Sequence, residues 1–258
     1  IDTAFERGSR VVRDDGRILA DIAERSKALG IFVGVALDDD IASADGINSA
    51  ISQSFSIDYL DQEHLYKIVD SHIFPKQARM RSLLHDIYEY YRSAVPGFRW
   101  SEERFRSLYP LHPSIMEIAP FVRLYLHEFA LLSFASEAGS RILGRPANSL
   151  IAPDEVFDNA ESSLRDIESL QEAFRAFDTI NTEVVAKIPV MKRLQAKLIL
   201  KGLFLFSLND EGATAAEIGA SMLIFDEQDP AGEVKRVEEL MTSFAEALPD
   251  QIRMLEDS

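Results

Sequence analysis

Three adjacent acids and one proline-flanked histidine are the residues whose types and spacing suit chemistry best. Asp38, Asp39 and Asp40 directly follow the apolar run Val35-Ala36-Leu37. A strand ending in carboxylates suits Mg²⁺, which takes carboxylate and water oxygens. Such sheets also gather ligands beyond the C-terminal ends of their strands. The same acids in a polar loop are simply solvated. A second string, Leu223-Ile224-Phe225-Asp226-Glu227, follows a capping sequence by one helical length and reads as a helix end and turn. Tyr109-Pro110-Leu111-His112-Pro113 is the most distinctive local string. Its prolines restrict the backbone entering the next helix. His112 then stands at or beside a helix N-terminus, where it either caps and packs or reaches a ligand.

Other chemistries lack their parts. The sequence has no Gly-Lys dipeptide, so it cannot build the phosphate-cradling loop G-x-x-x-x-G-K-[ST]. Among His64, His72, His85, His112 and His127, no pair has the i, i+4 spacing of a zinc hydrolase helix, and His127-Glu128 lacks its second histidine. No metal site is assigned beyond the Mg²⁺ option at the aspartates. Gly-x-Ser-x-Gly is absent, which leaves an α/β-hydrolase elbow unsupported. Cysteine is absent too, which removes thiol nucleophiles, disulfides and cysteine-held zinc. Tyr88, Tyr90, Tyr91, Phe98, Trp100, Phe105 and Tyr109 cluster, but at helical spacing, as core aromatics do.

Charge narrows the partners. Lys+Arg number 27 and Asp+Glu 43, giving −16 over 258 residues. A surface of that sign does not bind phosphate backbones broadly, because counterion release needs clustered cations. No apolar run approaches the ~18 residues that span a bilayer. A soluble, cytoplasmic protein without membrane contact is expected. The chain opens on Ile1 rather than Met, which suits processing or a piece of something longer.

The elements that must position these residues are mostly helical. Asp14 to Leu29 has apolar residues at helical spacing and Gly30 as a stop. Ile31 to Leu37 is expected to be a strand buried on both faces. A short helix from Ile47 to Ile51 and an alternating strand from Phe55 to Leu60 follow. Helices are then predicted from Asp61 to Phe74, Gln77 to Ala94 and Ser101 to Leu108, and from Ser114, interrupted or kinked at Pro120. Phe121 to Ala138 is apolar and predicted to end at Gly139. Leu143 to Pro153 reads as a loop. Helices are expected over Asp154 to Ile180 (in one or two pieces), Val190 to Leu208 and Val234 to Leu248. Thr214-Ala215-Ala216-Glu217 is a capping box opening a short helix, Ala215 to Leu223.

That short helix carries Glu217 and no Lys or Arg. The stretch from Leu194 to Phe225 has a helix-turn-helix cadence, but a DNA-reading helix needs basic or amide side chains. A structural or protein-contacting winged-helix-like unit is the better reading.

The order helix, buried strand, short helix, strand, then the helix beginning Asp61-Gln62-Glu63-His64-Leu65-Tyr66-Lys67-Ile68-Val69 resembles the second half of an AAA+ ATPase core. The string Tyr109-Pro110-Leu111-His112-Pro113 resembles the Y-P-x-H-P string of large bacterial P-loop ATPases of phage-defence islands, such as BREX-type systems. There it lies in a helical lid, with a winged-helix-like region after it. Leu198 to Leu205 and on through Glu217-Ile218 is similar to that region. The resemblance implies a mainly α fold: a partial α/β sheet segment over 1–60, a helical lid bundle over 61–180 and a winged-helix-like helical region over 181–258. It implies Asp2 as a metal-facing acid at the end of a Walker B strand and Asp38 at the end of the sensor-1 strand. It places His112 near the sensor-2 position, beside nucleotide. The departures are Thr3 where Glu usually follows the acid, and Gln53-Ser54 where an arginine finger often stands.

The activity implied is coupling of nucleotide state to protein partners or to an oligomer. ATP and Mg²⁺ enter only with a phosphate-binding half that this sequence does not contain, and hydrolysis by this chain alone is not expected. Two alternatives remain open on the residues: a non-enzymatic acidic helical scaffold, and a nucleic-acid-binding regulator.

Overall fold

The computed structural model describes residues 10–35, 54–56, 62–127, 129–209 and 212–252, with side chains described from residue 18 in the first helix and from residue 63 in the second. The chain divides into two compact units, Ile1–Leu60 and Asp61–Ser258. Among the described residues the fold is mainly α, with no strand in any ladder.

In the first unit, α1 spans Arg10–Ala28 and ends at Gly30, whose φ of +69° suits a glycine. Leu19 is buried, while Ile18 and Ile22 are exposed. Residues 31–35 differ from the expected buried strand. They pair with nothing in a ladder, and Phe32 is fully exposed at 102%. A strand apolar on both faces needs ladder neighbours and a layer over each face, and the described residues supply neither. Ala36, Leu37, the short helix Ile47 to Ile51 and residues 57–60 of the second expected strand lie outside the described residues, as do Asp2 and Asp38.

The second unit is a helical assembly. Its helices are α2 Gln62–Ile68, α3 Arg81–Ala94, α4 Glu102–Leu108, α5 Ser114–Tyr125, α6 Leu131–Ile142, α7 Pro153–Arg165, α8 Gln171–Glu183, α9 Val190–Ser207, α10 Ala215–Ser221 and α11 Pro230–Ala247. A π-helical turn, Val69–Ile73, continues α2. Local chemistry sets several boundaries. The Ser101 hydroxyl accepts from the Arg104 N–H at 3.3 Å and caps α4, and Glu102 and Glu103 favour its positive end. Thr214 and Glu217 cap α10 reciprocally. Asp229 caps α11 through the Gly232 N–H at 3.0 Å, with Pro230 in the first turn.

Two boundaries fall elsewhere than the sequence predicts. α5 runs through Pro120 to Tyr125. The apolar stretch then breaks at Leu126, and α6 continues past Gly139 to Ile142. Gly139 is not a stop: a Cβ there would stand 2.4 Å from Phe74 Cε1, so the glycine lets α6 approach the end of the π turn.

One continuous core joins these helices. It includes Val69, Ile115, Val122, Phe134, Phe157, Ile180, Ile199, Leu205, Ile218, Val237 and Phe244. It thus runs from the segment read as a lid into the segment read as winged-helix-like. Among the described residues after α9 there is no β-hairpin that would make a wing. A second cluster, mostly aromatic, gathers Tyr88, Tyr91, Phe98, Trp100 and Phe105 with Leu84, Ile87, Val95, Leu150 and Ala220.

Candidate functional site

The string Tyr109 to Pro113 is anchored from below. The His112 N–H donates to the Ile151 carbonyl at 2.8 Å, and the Ile151 N–H donates to the Pro110 carbonyl at 2.9 Å. A parallel bridge, Leu111 to Ile151, results. The Tyr109 hydroxyl reaches the Ala147 carbonyl at 2.7 Å, and the Tyr91 hydroxyl donates to the Asn148 carbonyl. Two segments, the 109–112 string and Tyr91 of α3, thereby hold the loop before α7.

His112 is completely enclosed. Its Nδ1 lies 2.6 Å from the Ser114 hydroxyl and accepts the Ser114 N–H at 3.2 Å. That bond needs the Nδ1 lone pair, so the neutral ring carries its proton on Nε2. Nε2 has no conventional partner. The ring stands edge-on to Trp100, with centroids 4.6 Å apart and planes at 85°, and edge-on to Phe98 at 6.0 Å. Burial lowers its pKa to about 3, because a charged imidazolium there would lose its water. An enclosed neutral ring offers nothing to a nucleotide. The cofactor contact implied by the resemblance therefore does not fit the geometry of His112.

Trp100 carries the next link. Its indole N–H donates to Glu117 at 2.8 Å, and the Arg99 guanidinium lies 5.6 Å from its ring centroid. Arg99 also donates to Glu117 at 2.9 Å and to Glu217. Glu217 meanwhile accepts the Thr214 N–H at 3.0 Å and its hydroxyl at 3.1 Å. Partial burial pushes the Glu217 pKa up, but the Thr214 and Arg99 contacts outweigh it and hold the carboxyl below the usual glutamate range. Gly97 reinforces the contact. At φ +80° it lies against Ala216, with room for no Cβ.

Glu217 also lines an open cleft of about 890 Å³ between α8, α9, α10 and α11. Phe177, Ile180, Leu203, Phe204, Met241 and Glu238 are among the residues that line it. A linked series of contacts therefore runs from His112 through Trp100, Glu117 and Arg99 to Glu217 and the cleft.

Of the three residues the resemblance assigns to a site, Asp2, Asp38 and His112, only His112 falls among the described ones. Among the described residues no three His, Cys, Asp or Glu side chains gather to hold a metal ion. Arg99 and Glu117 escape sequence reasoning, since nothing local marks a residue whose partner is far along the chain. Glu217 was visible only as half of a capping box. α10 offers little to a nucleic-acid groove: of Ala215 to Ser221 none is fully exposed, and its one charged side chain, Glu217, is an acid.

Set beside known proteins, this chain matches no family model, no curated protein and no solved structure.

Proposed function

We propose that this chain is a partner-contact body, the lid and C-terminal portion of an AAA+-like P-loop ATPase. In that frame it couples nucleotide state to protein contacts and does no hydrolysis itself. The observation that carries the coupling is the Arg99 link: one guanidinium ties Glu117 on α5 to Glu217 on α10. A lid transmits motion only if its parts move together, and packed elements with a shared core do so. ATP and Mg²⁺ would enter through a phosphate-binding segment outside this sequence. His112 has a positioning place in this reading, holding Trp100 and the start of α5, rather than a nucleotide contact. The sheet remnant over 1–60 and the winged-helix-like character of 181–258 belong to the same proposal.

A second reading is an acidic helical scaffold that binds partners without nucleotide. The exposed apolar residues of α9 favour it equally. Hydrogen exchange on the natural protein, with and without ATP and Mg²⁺, separates the two. Nucleotide coupling predicts changed protection at residues 109–113 and in α10. Unchanged exchange in both places leaves the scaffold.

A further inference from the structure

We propose that the exposed start of α9 docks an acidic, amphipathic helical segment of a partner protein, a surface assignment that rests on the partner-contact reading above. Val190, Met191 and Leu194 are 74%, 92% and 69% exposed. Two of them stand four residues apart and the third beside the first, so they crowd one side of the helix's first turns. Lys197 is exposed near Leu194 on that side, Lys192 is exposed on the opposite side of the helix, and neither has an ion-pair partner among the described residues.

The sign of this patch is what selects the occupant. From Val184 to Asn209 there is no Asp or Glu, while Lys187, Lys192, Arg193, Lys197 and Lys201 fall within the stretch. The chain as a whole carries −16. An acidic partner is repelled by the rest of this surface and attracted here, which orients it. Arg193 is spent on the Ala186 and Ile188 carbonyls, at 2.8 and 3.1 Å, and Lys201 on Asp158 at 2.5 Å. Lys187 pairs with Glu183 at 2.8 Å. Lys197 is left to meet a carboxylate, and the three apolar side chains to meet an apolar stripe, as in helix-on-helix recognition.

The helix is already fixed in place. Arg193 ties its first turn to the preceding backbone, and Gln195 donates to Glu233 on α11. A preorganised face loses little freedom on binding. The cleft is a weaker candidate, because its carboxylates, Glu217 and Glu238, share the sign of the whole chain and select nothing. An anionic membrane is disfavoured as well: two free lysines fall short of the roughly four to eight clustered cations that hold such lipid.

The test uses the whole chain and a fluorescein-labelled helical peptide of about 18 residues with a leucine stripe flanked by glutamates. Fluorescence anisotropy is read for the wild type, for Met191→Ser with Leu194→Ser, and for Lys197→Glu. The wild type is expected to bind, more weakly as salt rises. The serine pair is expected to weaken binding about tenfold or more, and the charge reversal about tenfold at low salt. All these side chains are exposed, so circular dichroism and the unfolding midpoint stay unchanged.

Absence of binding, or binding indifferent to both variants, overturns the proposal. So does a lysine-flanked peptide that binds with the same sensitivity to the variants. Co-sedimentation with phosphatidylserine vesicles that the serine pair abolishes assigns the patch to a membrane instead. A dimer that the serine pair splits assigns it to a second copy. If the peptide fails while nucleotide still alters exchange, only this surface falls. If the peptide binds while nucleotide alters nothing, the surface stands and the nucleotide coupling falls.

Discussion

Gly97 lies so close to Ala216 that a Cβ added to it would approach the Ala216 carbonyl oxygen to 2.8 Å. The contact fixes the turn before Trp100 onto the helix that Glu217 caps. It is made by backbone, which cannot swing aside as a side chain can.

Gly97→Ala should therefore destabilise the protein by about 2–4 kcal/mol, combining a positive φ with a clash. Gly144→Ala is the control. Gly144 also has positive φ, +86°, but faces open space, so only the backbone term of about 1–2 kcal/mol applies. Urea unfolding of the two variants should separate them clearly. Equal losses would show that the Gly97 contact is loose.

Glu117→Ala should cost about 2 kcal/mol, because it leaves the indole N–H of a Trp100 only 5% exposed without its acceptor. The Arg99–Glu217 pair is more open to water, and a double-mutant cycle should give a coupling of about 0.5–1 kcal/mol. A coupling near zero would reduce Arg99 to a surface ornament of Glu117.

Acid should unfold this protein partly through His112. Its pKa in the folded protein, about 3, lies below the ordinary histidine value. The unfolded chain thus takes up the proton first as pH falls. The stability contribution is complete above about pH 6.5 and is lost progressively toward pH 3, on the order of a few kcal/mol. His112→Leu should flatten that slope, read as urea midpoints from pH 7 downward. Glu217 acts in the same direction over a lower window. Its depressed carboxyl contributes above the usual glutamate range and loses that contribution as pH drops through the folded value. Glu217→Gln should leave the slope from pH 7 to 5 intact and reduce it below.

Gly139→Ala should destabilise by about 1–3 kcal/mol, since Phe74 must move to admit the new methyl. Thermal unfolding checks it, and Phe74→Leu in the same background should recover part of the loss by removing the ring edge that clashes.

Gly139 also marks a limit of sequence reading. A glycine after an apolar run signals a helix stop, yet the same residue type serves a close approach between elements, and only the fold distinguishes them. Caps were legible because they are local: Ser101 and the Thr214–Glu217 pair each act on the next few residues. That most of the described residues between 62 and 247 are helical followed from periodicity. His112 was placed beside a helix start by its prolines, but its enclosure comes from Phe98 and Trp100, which arrive on a different turn. Arg99 could not be paired with Glu217 from spacing at all. The basic patch at the start of α9 was visible in principle as a long stretch without acids, but periodicity cannot tell which apolar stripe is left uncovered. The run from Ile31 misled for the same reason: apolar composition does not say what lies over it.

The most direct test of the central claim is native-state hydrogen exchange across residues 61–252 in the wild type and in Arg99→Ala. If α5 and α10 belong to one body, their slowest amides in the wild type open with a single shared free energy. Arg99→Ala should then lower protection in both helices. Exchange of α10 through its own, lower-energy opening, with α5 still protected and indifferent to Arg99→Ala, would contradict the account.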